Sequence, residues 1–228
     1  MKFLFIDETE KFNHFGIALI CIDSSKYSNI SKSVLNALSK HKWDLKEEFK
    51  STCIFSSTEG DKSIDIPTRM QIAQEIIKSN ISKKNSAFNC YFGYVEGKKS
   101  AKNYELILKK LCQKIPKPQN CKNSKNVIAV YYDEMGFAKK EKDIQDIYKE
   151  VSKELSARNY LIVETPVPIS SSNLTSGILL SDHIAFIALW KSLNSKERNK
   201  EEATIKQQKN DYINQLVDEI KNIKIIKC

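Results

Sequence analysis

Glycine and arginine are scarce in this chain, with six and three examples among 228 residues. So few glycines leave no glycine-rich loop after any candidate strand to cradle a nucleotide's phosphates. Three arginines, Arg69, Arg158 and Arg198, leave little means for bidentate reading of base edges. No apolar run approaches the ~18 residues of a membrane span. The opening MKFLFIDETEKF turns acidic too soon for a signal peptide, so a cytoplasmic protein that does not enter a membrane is expected. The six cysteines, Cys21, Cys53, Cys90, Cys112, Cys121 and Cys228, form no Cys-x-x-Cys pair and do not cluster with the three histidines. A structural zinc site is therefore excluded by spacing, and free thiols are expected. No Ser/His/Asp or Cys/His signature is present either.

Lysine, by contrast, is abundant, and the net charge is +9. Such a balance suits a partner made of phosphates. Lysine, asparagine and isoleucine also rise together in A+T-rich genomes, so the charge has two explanations. If nucleic acid is the partner, lysine implies contacts to the backbone rather than to bases.

Hydrophobic patterning outlines one domain. KFLFIDE reads as a buried strand, TEKFN as a turn and HFGIALICID as the hairpin partner. A helix is expected from Ser24 to Lys40, another from Thr68 through Asn80, and a strand over FNCYFGYVE. NYELILKKLCQKI reads as a helix and NVIAVYYDE as a strand. A charged helix follows from about Lys140 to Arg158, then another strand, LIVETPVPI, whose prolines point to an edge or an early stop. WDLKEEFKSTCIF is ambiguous between strand edge and helix end. Strands alternating with helices after a hairpin predict an α/β domain with a mixed sheet over residues 1–194. Residues 195–228 are expected to form a basic helical extension with an apolar stripe at Ile213, Leu216, Val217, Ile220 and Ile223.

Two strands end alike, at Asp7-Glu8 and at Asp133-Glu134. Side by side in a sheet, their carboxyl ends would open on one crevice, where α/β proteins bind ligands. A third acid lies in SGILLSDHIAFIALW, apolar on nearly every face and hence expected to be a buried helix. Asp182 in that helix needs a partner, because an unpaired buried carboxylate costs several kcal/mol. A divalent cation shared with Asp7 and Asp133 would answer that need, and Mg²⁺ or Mn²⁺ suits carboxylate oxygens. Plainer readings stand beside this one. Asp7 and Asp133 could be caps or turn residues, and Asp182 could pair with Lys50 or Arg69, or sit at the first turn of the helix and point to solvent.

These features resemble the domain-of-unknown-function family numbered 3800. The resemblance rests on a first strand closing on F-I-D-E, a hairpin strand, an internal E-x-K, a later strand ending in Asp, and a final S-x-G-x-x-L-x-D-type helix. It spans roughly Lys2 to Trp190. It implies a ribonuclease H-like mixed sheet with an N-terminal hairpin and flanking helices. The implied activity is metal-dependent cleavage of RNA or DNA, often in phage-defence or mobile-element settings. Carried over, Asp7 and Glu8 match the first acidic motif, Glu48 and Lys50 the E-x-K, Asp133 the later strand's acid, and Asp182 that of the final helix. The implied catalytic set is Asp7, Glu48, Lys50, Asp133 and Asp182. The metal set is Asp7, Glu8, Glu48, Asp133, Glu134 and Asp182. Composition alone does not prefer Glu48 to Glu47. Ser181 and His183 depart from the usual L-A-D-L-like ending, and Thr9 replaces a glycine.

Sugar-kinase and actin-like ATPases need the glycine loops this chain lacks, and an aspartyl phosphatase needs Asp-x-Asp where Asp7-Glu8-Thr9 stands. A non-catalytic nucleic-acid- or partner-binding protein with a degenerate nuclease fold is the competing reading. A second copy of the chain, or a partner protein, is compatible with either.

The two explanations of the lysine excess separate on salt. Binding of a generic oligonucleotide should weaken steeply from low to physiological salt, with a log–log slope near −0.7 to −0.9 for each phosphate neutralised. A flat titration would assign the lysines to codon usage.

Overall fold

The computed structural model describes residues 1–56, 59–81, 88–118, 126–133, 141–163, 166–169 and 175–228. The chain opens with strands β1 (Lys2–Lys11) and β2 (His14–Asp23), followed by helix α1 (Ser24–Lys40). A short helix α2 (Ser51–Ile54) and a long one α3 (Ile66–Asn80) come next, then β3 (Phe88–Glu96) and α4 (Ala101–Cys112). Strand β4 (Asn126–Asp133) precedes α5 (Glu141–Ser156) and two short strands, β5 (Tyr160–Ile162) and β6 (Val167–Ile169). Helix α6 (Ser176–Ser192) is followed by α7 (Ser195–Arg198), α8 (Ala203–Asn214), α9 (Val217–Ile220) and β7 (Ile223–Lys227).

The expected α/β domain with a mixed sheet is present. Among the described residues the sheet has seven strands, six in the order β5-β4-β1-β2-β3-β7 and β6 paired to β4. β1, β2 and β3 are antiparallel neighbours, whereas β4 lies parallel to β1 and β7 parallel to β3. The hairpin turn is tighter than TEKFN suggested. Strand pairing runs to Lys11↔His14, leaving a two-residue turn of Phe12 and Asn13, both at positive φ. That is the backbone twist a two-residue hairpin demands.

Each face of the sheet carries its own core. Phe5, Ala18, Ile20 and Phe92 pack with α1, α3 and α6, whereas Leu4, Ile6, Ile17 and Tyr91 pack with α4 and α5. Alternation along β1 therefore sends Phe3, Phe5 and Asp7 to the α6 face, with Leu4 and Ile6 opposite. α3 starts where its sequence dictates, with Asp65 accepting a hydrogen bond from the Thr68 N–H and Pro67 in the first turn.

Three expectations need correction. LIVETPVPI is not one strand: it divides into β5 and β6, each parallel to β4, with Pro168 on the outermost strand. The region WDLKEEFKSTCIF is largely irregular before the single turn α2, with Trp43 and Phe49 buried. The final 34 residues are not merely a helical extension. Tyr212, Leu216, Ile220 and Ile223 are buried in the main core, and Ile223–Lys227 adds a strand to the sheet. A helical period cannot distinguish a helix from a helix that ends in a buried strand, so the stripe predicts the wrong element at Ile223. Val217, counted in the same stripe, is 52% exposed.

α6 docks across β1 with almost no gap. A Cβ placed on Gly177 would stand 2.4 Å from the Phe5 ring, far inside van der Waals contact. Gly177→Ala should therefore cost about 1–3 kcal/mol in overpacking, exceeding the gain of up to ~1 kcal/mol in helix propensity. Chemical denaturation checks this. A variant as stable as the parent would show that the contact relaxes freely.

Candidate metal centre

The site starts from strand register. Phe5 pairs with Tyr131 and Ile6 with Tyr132, so the next step along both parallel strands sets Asp7 beside Asp133. Both carboxylates project from the face on which α6 lies. Because Gly177 lets α6 sit directly on Phe5, Asp182, five residues further along the helix, arrives above the ends of the two strands. Asp7, Asp133 and Asp182 line one cavity of about 170 Å³ together with Glu8, Glu48, Phe49, Lys50, Ile178 and Leu179. Five of the six residues proposed as metal ligands thus border one space. The sixth, Glu134, lies outside the described residues.

The electrostatics are those of crowded acid. Asp7 is 7% exposed, and its carboxyl is held well above the usual carboxylate range. Burial is the main cause, followed by the charges of Asp182 and Asp133, while the Glu8 N–H donating to Oδ1 opposes the shift. Glu8 is also raised, first by burial, against the opposing ion pair with Lys99. Its second oxygen, Oε2, is buried and has no hydrogen-bond partner.

Asp182 meets neither proposed cation directly. Buried Arg69 is spent on the carbonyls of Cys53, Ser56, Glu59, Asp61 and Ile64, which organise the loop before α3. Asp182 instead accepts from Ser51, at 2.5 Å from the backbone N–H and 2.8 Å from Oγ. Lys50, next to Ser51, forms an ion pair with Glu48 at 3.3 Å. Burial works against the Lys50 charge, but Glu48, then Asp133 and Asp182, raise its pKa on balance. Glu48 is half-buried against the cavity while Glu47 is exposed, which separates two residues that composition could not.

His183 does not line the cavity. It is fully buried, and its Nε2 lies 3.2 Å from the Phe49 carbonyl oxygen. Burial holds the imidazole pKa below its ordinary value, so the ring is neutral at pH 7 and Nε2–H is the donor. Adjacent residues of α6 therefore grip the segment between Glu48 and Ser51 from inside. Ser51 and Gly177 escape a reading of the sequence, because an acceptor's partner 131 residues away and a ring under a glycine leave no local pattern.

The donors suit a hard divalent ion. The cavity has room for an ion with water, and all its acids offer oxygen. They do not form a finished cluster: among the described residues no three His, Cys, Asp or Glu side chains are gathered to hold a metal. The sequence matches no family model and no curated protein. Among the described residues no helix is long and apolar enough to cross a membrane.

The Asp7 environment sets a stability signature. A folded pKa above the unfolded one means that the native state binds the extra proton between those values, so stability falls as pH rises from about 4 through the folded pKa. In EDTA, Asp7→Asn should therefore be more stable than the parent at pH 7–8, with the gap closing toward pH 4. Urea unfolding at several pH values tests this, and a pH-independent gap would place Asp7 outside the crowded cavity.

Proposed function

We propose that the chain is a divalent-metal-dependent nuclease of ribonuclease H-like type, hydrolysing phosphodiester bonds of RNA or DNA. One observation carries the reading: the parallel register of β1 and β4 puts Asp7 beside Asp133, and α6 brings Asp182 to the same cavity. The mixed sheet with its N-terminal hairpin supports the fold assignment, as does the first-strand, E-x-K and final-helix resemblance. A phage-defence or mobile-element setting follows from the resemblance alone.

Asp7, Asp133, Asp182 and Glu48 would hold Mg²⁺ or Mn²⁺. Bound there, the metal would supply an activated water and neutralise charge developing on the phosphate. Lys50, protonated at neutral pH and anchored by Glu48, offers a point charge to a phosphate oxygen at the cavity wall. Ser51 orients Asp182 with two donors, and His183 fixes the Phe49 backbone, so Glu48 and Lys50 stay on the cavity's border. Glu8, with one oxygen committed to Lys99, is a supporting acid rather than a primary ligand. Glu134 keeps the proposed ligand role that it has from the repeated Asp-Glu strand ending.

The competing reading, a nucleic-acid- or partner-binding protein without catalysis, draws on the absence of a preassembled cluster among the described residues. Cleavage decides between them. The wild type should digest a labelled oligonucleotide with Mn²⁺ or Mg²⁺ and lose activity in EDTA. Asp133→Asn should lose at least ~10²-fold in rate while still binding the oligonucleotide, because phosphate contacts by lysine survive. Full digestion in EDTA, or unaltered digestion by Asp133→Asn, would remove the carboxylate site from the mechanism.

A further inference from the structure

α6 is closed on almost every side, and where it opens is informative. Between Ser176 and Trp190 only Asp182 and Phe186 are incompletely buried. They are four residues apart and so share one face of the helix. That face looks into a second cavity of about 680 Å³, which shares Glu8 and Asp182 with the carboxylate site. A large ring left open one turn beyond a candidate metal ligand, in an otherwise sealed helix, is not required by packing.

Aromatic and cationic groups shape the rest of this groove. Phe55 lies 5.6 Å from Phe186, centroid to centroid, and both border it. The far wall comes from α8, where Ile205 and Lys209 also border the space. Lys209 occupies a position on the buried stripe of α8 where an apolar residue would ordinarily sit, and it is only 6% exposed. Its ammonium lies 5.0–5.9 Å from the rings of Trp190, Phe55 and Phe186, within cation–π range. Glu201 accepts from Lys209 through one oxygen and from Lys11 through the other, so two lysines share one carboxylate, and Glu8, Glu10, Glu59 and Asp182 also border the space. The groove thus has the rings of Phe55 and Phe186 in a wall whose charged residues are mostly acidic, with its two lysines drawn onto Glu201.

We propose that this groove is a nucleobase subsite, in which the nucleotide next to the scissile phosphate stacks its unpaired base on Phe186. The assignment rests on the nuclease reading of the carboxylate cavity and names its substrate as single-stranded. A volume of about 680 Å³ lies in the range of small-ligand sites and has room for a single nucleotide. Base stacking on an aromatic ring tolerates any sequence, which agrees with a chain poor in arginine. It also gives a role to the C-terminal segment, which supplies Glu201, Ile205 and Lys209 as the groove's outer wall.

The experiment separates the subsite from the catalysis by omitting metal. Fluorescein-labelled single-stranded DNA hexamers, one with bases and one abasic throughout, are titrated with the full chain in EDTA at fixed salt, and anisotropy is read. The wild type should bind the base-bearing strand about tenfold more tightly than the abasic one, the scale of one stacking contact. Phe186→Leu should bring the two affinities to within about twofold by removing that stack. Equal affinities in the wild type, or a preference that persists in Phe186→Leu, would overturn the subsite. Should that variant fail to fold, 2-aminopurine in the strand answers the same question with the wild type: quenching on binding supports stacking, and unchanged emission overturns it. Discrimination by a protein that never cleaves with Mn²⁺ would keep the subsite and remove the nuclease reading. Metal-dependent cleavage without discrimination would do the reverse.

Discussion

The close approach of one helix to one strand organises this molecule. α6 lies against β1 at Gly177 and Phe5 with no space for a methyl group, and two other features follow from that contact. It seals an apolar helix between the sheet and the helices α1 and α3, which is where most of one core lies. It also carries Asp182 over strand ends that already hold two acids. A longer gap would relieve the crowding of carboxylates and open the core together. Packing and site geometry are therefore one constraint, and the favourable burial of α6 offsets the unfavourable proximity of charge.

The acids are made tolerable by different means. Asp7 keeps its proton to a higher pH than an ordinary carboxyl, chiefly because it is buried. Glu8 is tied to Lys99, and Glu48 to Lys50. Asp182 is stabilised by an amide and a hydroxyl of Ser51, fixed dipoles that hold the carboxylate without neutralising it. Such an arrangement leaves the centre negative within a chain of net charge +9. Carboxylates gathered at one cavity of a lysine-rich chain are the charge pattern on which the proposed reaction rests.

The sheet gives the C-terminal segment a place that its composition hides. Lysine-rich and polar from Ser195, it nevertheless inserts Tyr212 and Leu216 into the core and closes with β7 alongside β3. Anchored at that end, α8 can hold Lys209 under three rings. A tail attached only by its own helices would have no reason to bury a lysine.

Local pattern was enough for much of this. Short apolar runs marked β1, β2 and β4, and aromatic content marked β3. Helical spacing marked α1, α3 and α4, and all-round hydrophobicity marked α6 as buried. The repeated Asp-Glu strand ending and the lone acid of α6 indicated which carboxylates to bring together, because acid in apolar surroundings is costly wherever it falls. Tertiary structure alone decided the rest. Strand order set β4 beside β1, which no residue of either strand announces. Asp182 found Ser51 rather than Lys50 or Arg69, because the arginine's geometry was already satisfied by five carbonyls. The splitting of LIVETPVPI and the recruitment of Ile223–Lys227 to the sheet depended on which neighbouring edge was open. Hydrogen bonds and contacts between residues more than a hundred positions apart have no sequence period, so only the folded chain can choose among chemically equivalent partners.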